Sequence, residues 1–330
     1  MTDDSPLLTL RDLRVTFSTP AGPARAVRGL DLDVRAGESI AVVGESGSGK
    51  SVTMLATLGL LPSADVTGSV KFRDTELVGA STETLRAVRG RRISMVFQDP
   101  MTSLNPVLTI GKQMSLVMQA HQPGLGKKEL RAKSVDLLGR LAIPQAVRRI
   151  DAYPHELSGG MRQRVMIAMA IANDPEVLIA DEPTTALDVT VQAQIMELLS
   201  KLRDEQHLAL VLITHDLGVV AGSADRVAVM YAGRIVERAP VLDLFASPRH
   251  PYTTALLECL PRLDQRHDVV NSIGGTPPNP ADLPSGCPFA PRCPRVVDAC
   301  LIDEPTLVRV GVSDVACSVV SAGVGERESV

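Results

Sequence analysis

Gly44-Glu45-Ser46-Gly47-Ser48-Gly49-Lys50-Ser51 satisfies the pattern G-x-x-x-x-G-K-[ST] at every fixed position. The apolar, β-branched run Ser39-Ile40-Ala41-Val42-Val43 before it predicts a buried strand, and Val52 to Leu60 after it predicts a helix. In that context the octapeptide reads as a phosphate cradle. Glycines let backbone N–H groups turn inward around phosphate oxygens, and the helix N-terminus adds partial positive charge. Lys50 supplies a full charge and Ser51 can ligate Mg²⁺.

Three further runs read as strands that end in polar residues. Ile93 to Phe97 ends in Gln98, Val177 to Ala180 in Asp181-Glu182, and Leu208 to Thr214 in His215. Open α/β sheets place their ligands at the carboxyl ends of strands, so these side chains are candidates to converge on one site. Two adjacent carboxylates at such a point are costly without a cation, and Mg²⁺ is the obvious one. The string Tyr153 to Arg164 enters a helix that runs on to Ala172, with Ser158 as N-cap and Gly159-Gly160 offering backbone N–H groups to an anion. The helix after Asp188 puts Val191, Ile195, Leu198, Leu199 and Leu202 on one face, which is core packing.

Around this framework the chain shows other layers. Leu10 to Phe17 and Ala26 to Val34, broken by the turn-rich Thr19 to Pro23, predict an antiparallel edge layer. Phe17 closes the first run; its ring suits either a base-stacking contact or the core. Gly68 to Phe72 predicts another strand, the arginines of Arg86 to Arg92 a solvated face, and Asp99 to Pro106 a polar loop. Ile110 to Ile143 is helical in character, broken at Pro123-Gly124, and predicts an inserted helical subdomain over about 99–165. Arg226 to Glu237 reads as a hairpin turning at Ala232-Gly233. The expected division is a domain over 1–245 and a second over 246–330.

In that second segment eight prolines fall between Pro277 and Pro305, which leaves little room for regular elements and little apolar content for a core. Such a segment needs a staple. Cys287, Cys293, Cys300 and Cys317 can supply one, whereas Cys259 reads as a small buried hydrophobe.

Composition narrows the function classes. At 45% hydrophobic and 22% charged the chain is an ordinary globular protein. A formal charge of -4 and 2% aromatic residues argue against a nucleic-acid partner held by bulk electrostatics or base stacking. No apolar run approaches the roughly 20 residues of a membrane span. The acidic start Met1-Thr2-Asp3-Asp4-Ser5 does not read as a secretory leader, which predicts a cytosolic setting.

In this order the motifs resemble those of the ATP-binding-cassette (ABC) ATPases. Gly44 to Ser51 is similar to Walker A, Gln98 to the Q-loop, Leu157-Ser158-Gly159-Gly160-Met161 to the signature, and Val177 to Glu182 to Walker B with its catalytic glutamate. Ala186-Leu187-Asp188 resembles the D-loop, His215 the switch histidine, and Phe17 the base-stacking aromatic. Thr185 departs slightly, standing where the family often has Ser. Phe97 to Pro106, Tyr153 to Arg164, His250-Pro251-Tyr252-Thr253 and Gly286 to Cys293 are similar to the peptide permease ATPase subunits of bacterial oligopeptide and dipeptide importers.

This resemblance implies an α/β fold: a P-loop core sheet, an antiparallel β layer, an inserted helical subdomain and a small Cys- and Pro-rich C-terminal domain. It implies ATP on Gly44, Glu45, Ser46, Gly47, Ser48, Gly49, Lys50, Ser51 and Val52, with Mg²⁺ held by Ser51, Gln98 and, through water, Asp181. Glu182 would polarise the attacking water and His215 would contact the γ-phosphate. The signature would complete a partner's nucleotide site, so the implied assembly is a heterodimer of two ATPase subunits. Two transmembrane permease subunits and an extracytoplasmic peptide-binding protein would join it, at the cytoplasmic face of a bacterial membrane. A related importer of nickel or glutathione, and a soluble cassette ATPase, are the alternatives. For the four C-terminal cysteines a [4Fe–4S] cluster is favoured over zinc, because close C-x₂₋₄-C pairs are absent and Cys-Pro steps occur around such clusters. Disulfides are disfavoured in a cytosolic setting.

Overall fold

Ser39–Val43, Val177–Asp181 and Ala209–Thr214 are buried at every position, as runs rich in Val, Ile and Leu are when a parallel sheet is covered on both faces. They belong to a computed structural model that describes residues 5–185, 187–260 and 272–325. The chain packs as two compact units: residues up to Val34, Ser39–Gly79 and from Thr214 onward form one, and Arg35–Glu38 with Ala80–Ile213 form the other.

In the first unit Leu8–Thr19 pairs antiparallel with Gly22–Val34 and with Ala64–Phe72, giving the expected edge layer. The turn expected over Thr19 to Pro23 is tighter than its composition suggested. Thr19 pairs with Gly22, so only Pro20 and Ala21 connect the strands. Ser39–Val43 runs parallel to Arg226–Tyr231, which turns back as Arg234–Pro240. The turn uses Ala232 at φ 45° and Gly233 at φ 80°, the left-handed pair that a two-residue hairpin needs.

The C-terminal segment adds strands to this hairpin. Ser313–Val315 pairs with Arg234–Pro240, and Val308–Val310 pairs in turn with Ser313–Val315. Proline does keep the regular elements short: between residues 272 and 317 none exceeds four residues. The segment is nonetheless anchored by rings. Of the eight Phe and Tyr in the chain (five Phe, three Tyr), Tyr231, Tyr252 and Phe289 meet in one buried cluster with Leu244 and Val229. Tyr231 lies 4.6 Å from Tyr252 and 5.3 Å, edge-on, from Phe289, centroid to centroid.

The second unit holds the parallel strands Ile93–Val96, Val177–Asp181 and Ala209–Thr214, in that spatial order. Between the first two, the chain folds into helices Ile110–Gln119, Lys127–Arg140 and Gly159–Ile171, the inserted helical layer the sequence predicts. Two expectations need correction. Pro100–Ser103 forms a short helix within the supposed loop, with Ser103 Oγ donating back to the Asp99 carbonyl at 2.8 Å. In the arginine run, Arg86, Arg91 and Arg92 are exposed, but Arg89 is half-buried and its desolvation lowers its pKa.

Candidate functional site: a phosphate loop and a carboxylate strand end

The phosphate loop leaves the buried strand Ser39–Val43 and feeds the helix Lys50–Thr57. Gly49 caps this helix at φ 101° and contributes no side-chain hydrogen bond, so the amino end is closed only by backbone. A Cβ at Gly49 would stand 2.5 Å from the Ala26 carbonyl, and one at Gly44 would collide with the carbonyl of Met230. Glycine is therefore required there by both dihedral angle and space. Lys50 is buried, with Nζ donating to the carbonyls of Gly44 at 2.8 Å and Glu45 at 2.9 Å across the loop. Ser48 Oγ is buried without a hydrogen-bond partner, while Ser46 and Gly47 are exposed. An orphaned hydroxyl, a buried ammonium and an uncapped helix start fit a polyanion such as the phosphates of ATP. Ser51 and Val52, on the first turn of the helix, are half-buried.

Phe17 sits near the end of its strand, opposite Ala24 and Ala64, and is half-buried. Its ring thus keeps a solvent-facing part that a core residue would lack. His215 is the first residue after Ala209–Thr214 and is exposed.

In the second unit Asp181 is buried at the end of its strand and Glu182 follows it. Glu182 adopts φ 46°, a left-handed conformation uncommon for a side chain of this size, and its N–H donates to the Ile213 carbonyl at 2.8 Å. Its carboxylate accepts from Gln98 Nε2 at 2.9 Å and from Thr185 Oγ1 at 2.9 Å. The structure therefore joins Gln98 to Glu182 and adds Thr185, which the sequence marked only as a departure from a familiar pattern. Its position three residues after the glutamate was the available signal.

The Leu157 to Met161 string opens the helix Gly159–Ile171. Leu157 is buried, Ser158 is exposed, and Ser158 Oγ accepts from the Met161 N–H at 3.3 Å. A Cβ at Gly160 would meet Val191 Cγ1 at 2.8 Å, whereas one at Gly159 would find only ordinary contact with Leu187. Asp188 caps the helix Val189–Gln206 by accepting from the Val191 N–H at 2.9 Å. Ala186, part of the same expected loop, lies outside the described residues.

All five cysteines are free thiols. In the first unit Cys287 and Cys293 each lie within electrostatic reach of Cys300 and Cys317, and the Cys287 N–H donates to the Cys300 carbonyl at 2.7 Å. Burial is the main cause that pushes the Cys287 thiol up to about 11 and raises that of Cys293. The donor type suits iron or zinc. The expected metal centre is not laid out, however: among the described residues no group of three or more His, Cys, Asp or Glu stands at metal-binding spacing. Cys259 is half-buried rather than buried.

Residues 27–185 match the family model described as ABC transporter, and 236–300 match the oligopeptide/dipeptide transporter C-terminal region. The chain is 52% identical to the oligopeptide transport ATP-binding protein OppD of Salmonella typhimurium, over 89% of this chain and 88% of that protein. It is 49% identical to the oligopeptide transport ATP-binding protein AppD of Bacillus subtilis, over 92% of this chain and 93% of that one. With OppD of Mycobacterium bovis identity is 54% over 93% of this chain, which spans only 50% of that relative's length. Among solved structures, the bacterial ABC transporter cassette MJ0796 is similar at a TM-score of 0.64 and 30% identity, covering 71% of this chain and 98% of that one. The phosphate loop, the Asp181-Glu182 strand end and the Ser158-capped helix thus lie in a chain that belongs to the ABC transporter family, among the ATP-binding proteins with the oligopeptide/dipeptide transporter C-terminal region.

Proposed function

We propose that this chain binds and hydrolyses ATP to power peptide import as one ATPase subunit of an ABC transporter. The observation that carries the reading is the phosphate loop, with buried Lys50 and orphaned Ser48 Oγ, in one chain with the C-terminal region found in oligopeptide and dipeptide transporters. In this reading Lys50 and the loop amides bind the phosphates, Phe17 stacks on the base, and Ser51, Gln98 and, through water, Asp181 would hold Mg²⁺. The ion would supply positive charge against the negative charge of the triphosphate. Glu182 orients and polarises the attacking water, with Gln98 and Thr185 fixing its carboxylate through the hydrogen bonds described above. His215 contacts the γ-phosphate.

Leu157, Ser158, Gly159, Gly160 and Met161, with Asp188, would face a second, homologous ATPase subunit, and two transmembrane permease subunits would receive the stroke. An extracytoplasmic peptide-binding protein would deliver the cargo, and the chain would work peripherally at the cytoplasmic side of the membrane. The domains are read as 1–245, containing the helical subdomain at about 99–165, and 246–330. For the four cysteines the thiolate donors suit iron and zinc alike, and the missing C-x₂₋₄-C pairs with the Cys-Pro steps favour an iron–sulfur cluster; iron and acid-labile sulfide in anaerobically purified protein would establish it, and stoichiometric zinc without iron would end it.

Affinity purification from solubilised membranes tests the main reading. Two polytopic membrane subunits and a homologous ATPase should accompany the chain, and ATP hydrolysis by that complex should rise with a peptide-loaded binding protein. Purification without any membrane subunit would defeat it.

A further inference from the structure

Glu45 is held by the C-terminal segment at both its side chain and its backbone. Arg292, in the short turn Ala290–Arg292, donates from Nη1 to Glu45 Oε2 at 2.7 Å and from Nη2 to Glu45 Oε1 at 2.9 Å, a two-pronged ion pair. The arginine side chain is only 3% exposed. Its other donors are also occupied: Nε by the Gly274 carbonyl at 2.8 Å, Nη1 by Tyr231 Oη at 3.2 Å, and Nη2 by the Ile273 carbonyl at 3.3 Å. All five guanidinium N–H groups thus have acceptors, which fixes the fork in one orientation. The backbone N–H of Glu45 donates to Tyr252 Oη at 2.8 Å. Tyr252 itself is buried in the ring cluster with Tyr231 and Phe289.

The residue gripped in this way is the second of the phosphate loop, and its own carbonyl accepts from Lys50 Nζ. A free carboxylate in a loop that receives a triphosphate would repel its ligand. Paired with Arg292, Glu45 presents no net charge, and Lys50 keeps its full effect on the phosphates. The turn that carries Arg292 lies between Cys287 and Cys293, tied by Ala290 N–H to the Cys287 carbonyl at 2.9 Å and by Cys293 N–H to the Ala290 carbonyl at 3.2 Å. The fork is therefore mounted on the cysteine-bearing turn.

We propose that Arg292 and Tyr252 are positioning residues for nucleotide binding, holding Glu45 in place and cancelling its charge, so that the cysteine-bearing segment sets the affinity of the phosphate loop. The inference rests on the reading of that loop as an ATP site.

Calorimetric titration of the full-length protein with ATP and with ADP tests it, in the wild type, Arg292→Gln, Glu45→Gln, the double variant and Tyr252→Phe. Arg292→Gln leaves the Glu45 charge uncompensated and should weaken ATP on the order of tenfold, and ADP, with one phosphate fewer, by less. Adding Glu45→Gln should recover most of that loss, a rescue that a purely structural role for Arg292 would not give. Tyr252→Phe, which removes only the acceptor of the Glu45 N–H, should weaken ATP about threefold, and it keeps the test open if Arg292→Gln does not fold. Wild-type binding with unchanged affinity in Arg292→Gln and Tyr252→Phe, or an equal loss with and without the Glu45 charge, would overturn the clamp alone. Absence of ATP binding by the wild type would overturn both the clamp and the reading of the loop.

Discussion

Gln98 Nε2 donates to Glu182 Oε2 at 2.9 Å, and Thr185 Oγ1 donates to the same oxygen at 2.9 Å. These two hydrogen bonds fix the orientation of the carboxylate, which is what aiming it at a water molecule demands. Glu182→Gln keeps the size and removes the charge. Phosphate release by the assembled transporter should fall at least about 100-fold while ATP binding is kept. Undiminished steady-state hydrolysis would remove Glu182 from the role given to it.

Thr185→Ala probes the same carboxylate more gently. The hydroxyl donor is lost while Gln98 remains, so hydrolysis should drop by about three- to tenfold, chiefly in kcat with little change in KM for ATP. Thr185→Ser, which retains a hydroxyl, should restore the rate.

Gly160 and Val191 touch so closely that a methyl group has no room between them, since a Cβ would lie 2.8 Å from Val191 Cγ1. The branched valine has few rotamers with which to yield. Gly160→Ala should lower stability by about 1–3 kcal/mol, read as a lower melting temperature, and Val191→Ala in the same chain should return part of it. Gly159→Ala, which meets only ordinary contact, should keep the fold and so separate packing from any effect on assembly.

His250 is buried and its burial lowers its pKa from 6.5 to about 4. Its Nδ1 accepts from the Tyr252 N–H at 3.1 Å and so caps the helix Pro251–Glu258, an acceptor that the protonated ring lacks. A depressed folded-state pKa gives stability that is present above pH 6.5 and is lost as pH falls toward 4. The loss from this group should reach on the order of 3 kcal/mol, and denaturant melts across that window should show it shrink in His250→Asn. Buried Glu237, which accepts from the His250 N–H at 2.9 Å, shifts upward and acts in the opposite direction, so the comparison between variants isolates the histidine. An identical pH dependence in His250→Asn would refute the assignment.

Arg28 forms a fork on Glu304, with Nη1 to Oε2 at 2.8 Å and Nη2 to Oε1 at 2.6 Å, while its Nε donates to the Ala232 carbonyl at 2.6 Å. Arg234 also pairs with Glu304 at 3.2 Å. Glu304→Ala leaves two half-buried cations without their shared anion and should destabilise by about 1–3 kcal/mol. Faster proteolysis of the C-terminal segment would report the loosening; unchanged cleavage would show that the ring cluster alone secures it.

The sequence alone specified the phosphate loop, its strand and helix, and the cap at Ser158. These depend on near neighbours: a run of Val and Ile, a glycine at a fixed offset, a short polar side chain three residues before an N–H. It also fixed the polar residues at the strand ends, because strand and terminus are read in one short window. What it did not reveal were relationships set by distance along the chain. Glu45 and Arg292 lie 247 residues apart, and nothing in either local pattern says that one neutralises the other. Arg89 read as part of a solvated charge run because burial is a property of the packed helix rather than of the run. The four cysteines are the converse case. Their spacing suggested a metal shell, but spacing limits only how far the chain can reach; the direction of each thiol is decided by the turns between them, and these bring the four together without metal-site geometry. Tertiary packing decided that the proline-rich segment is seated on Tyr231 and Tyr252, since burial of those rings against Phe289, with the Arg292 and Glu304 ion pairs, offsets the entropy of ordering a segment with so few regular elements of its own.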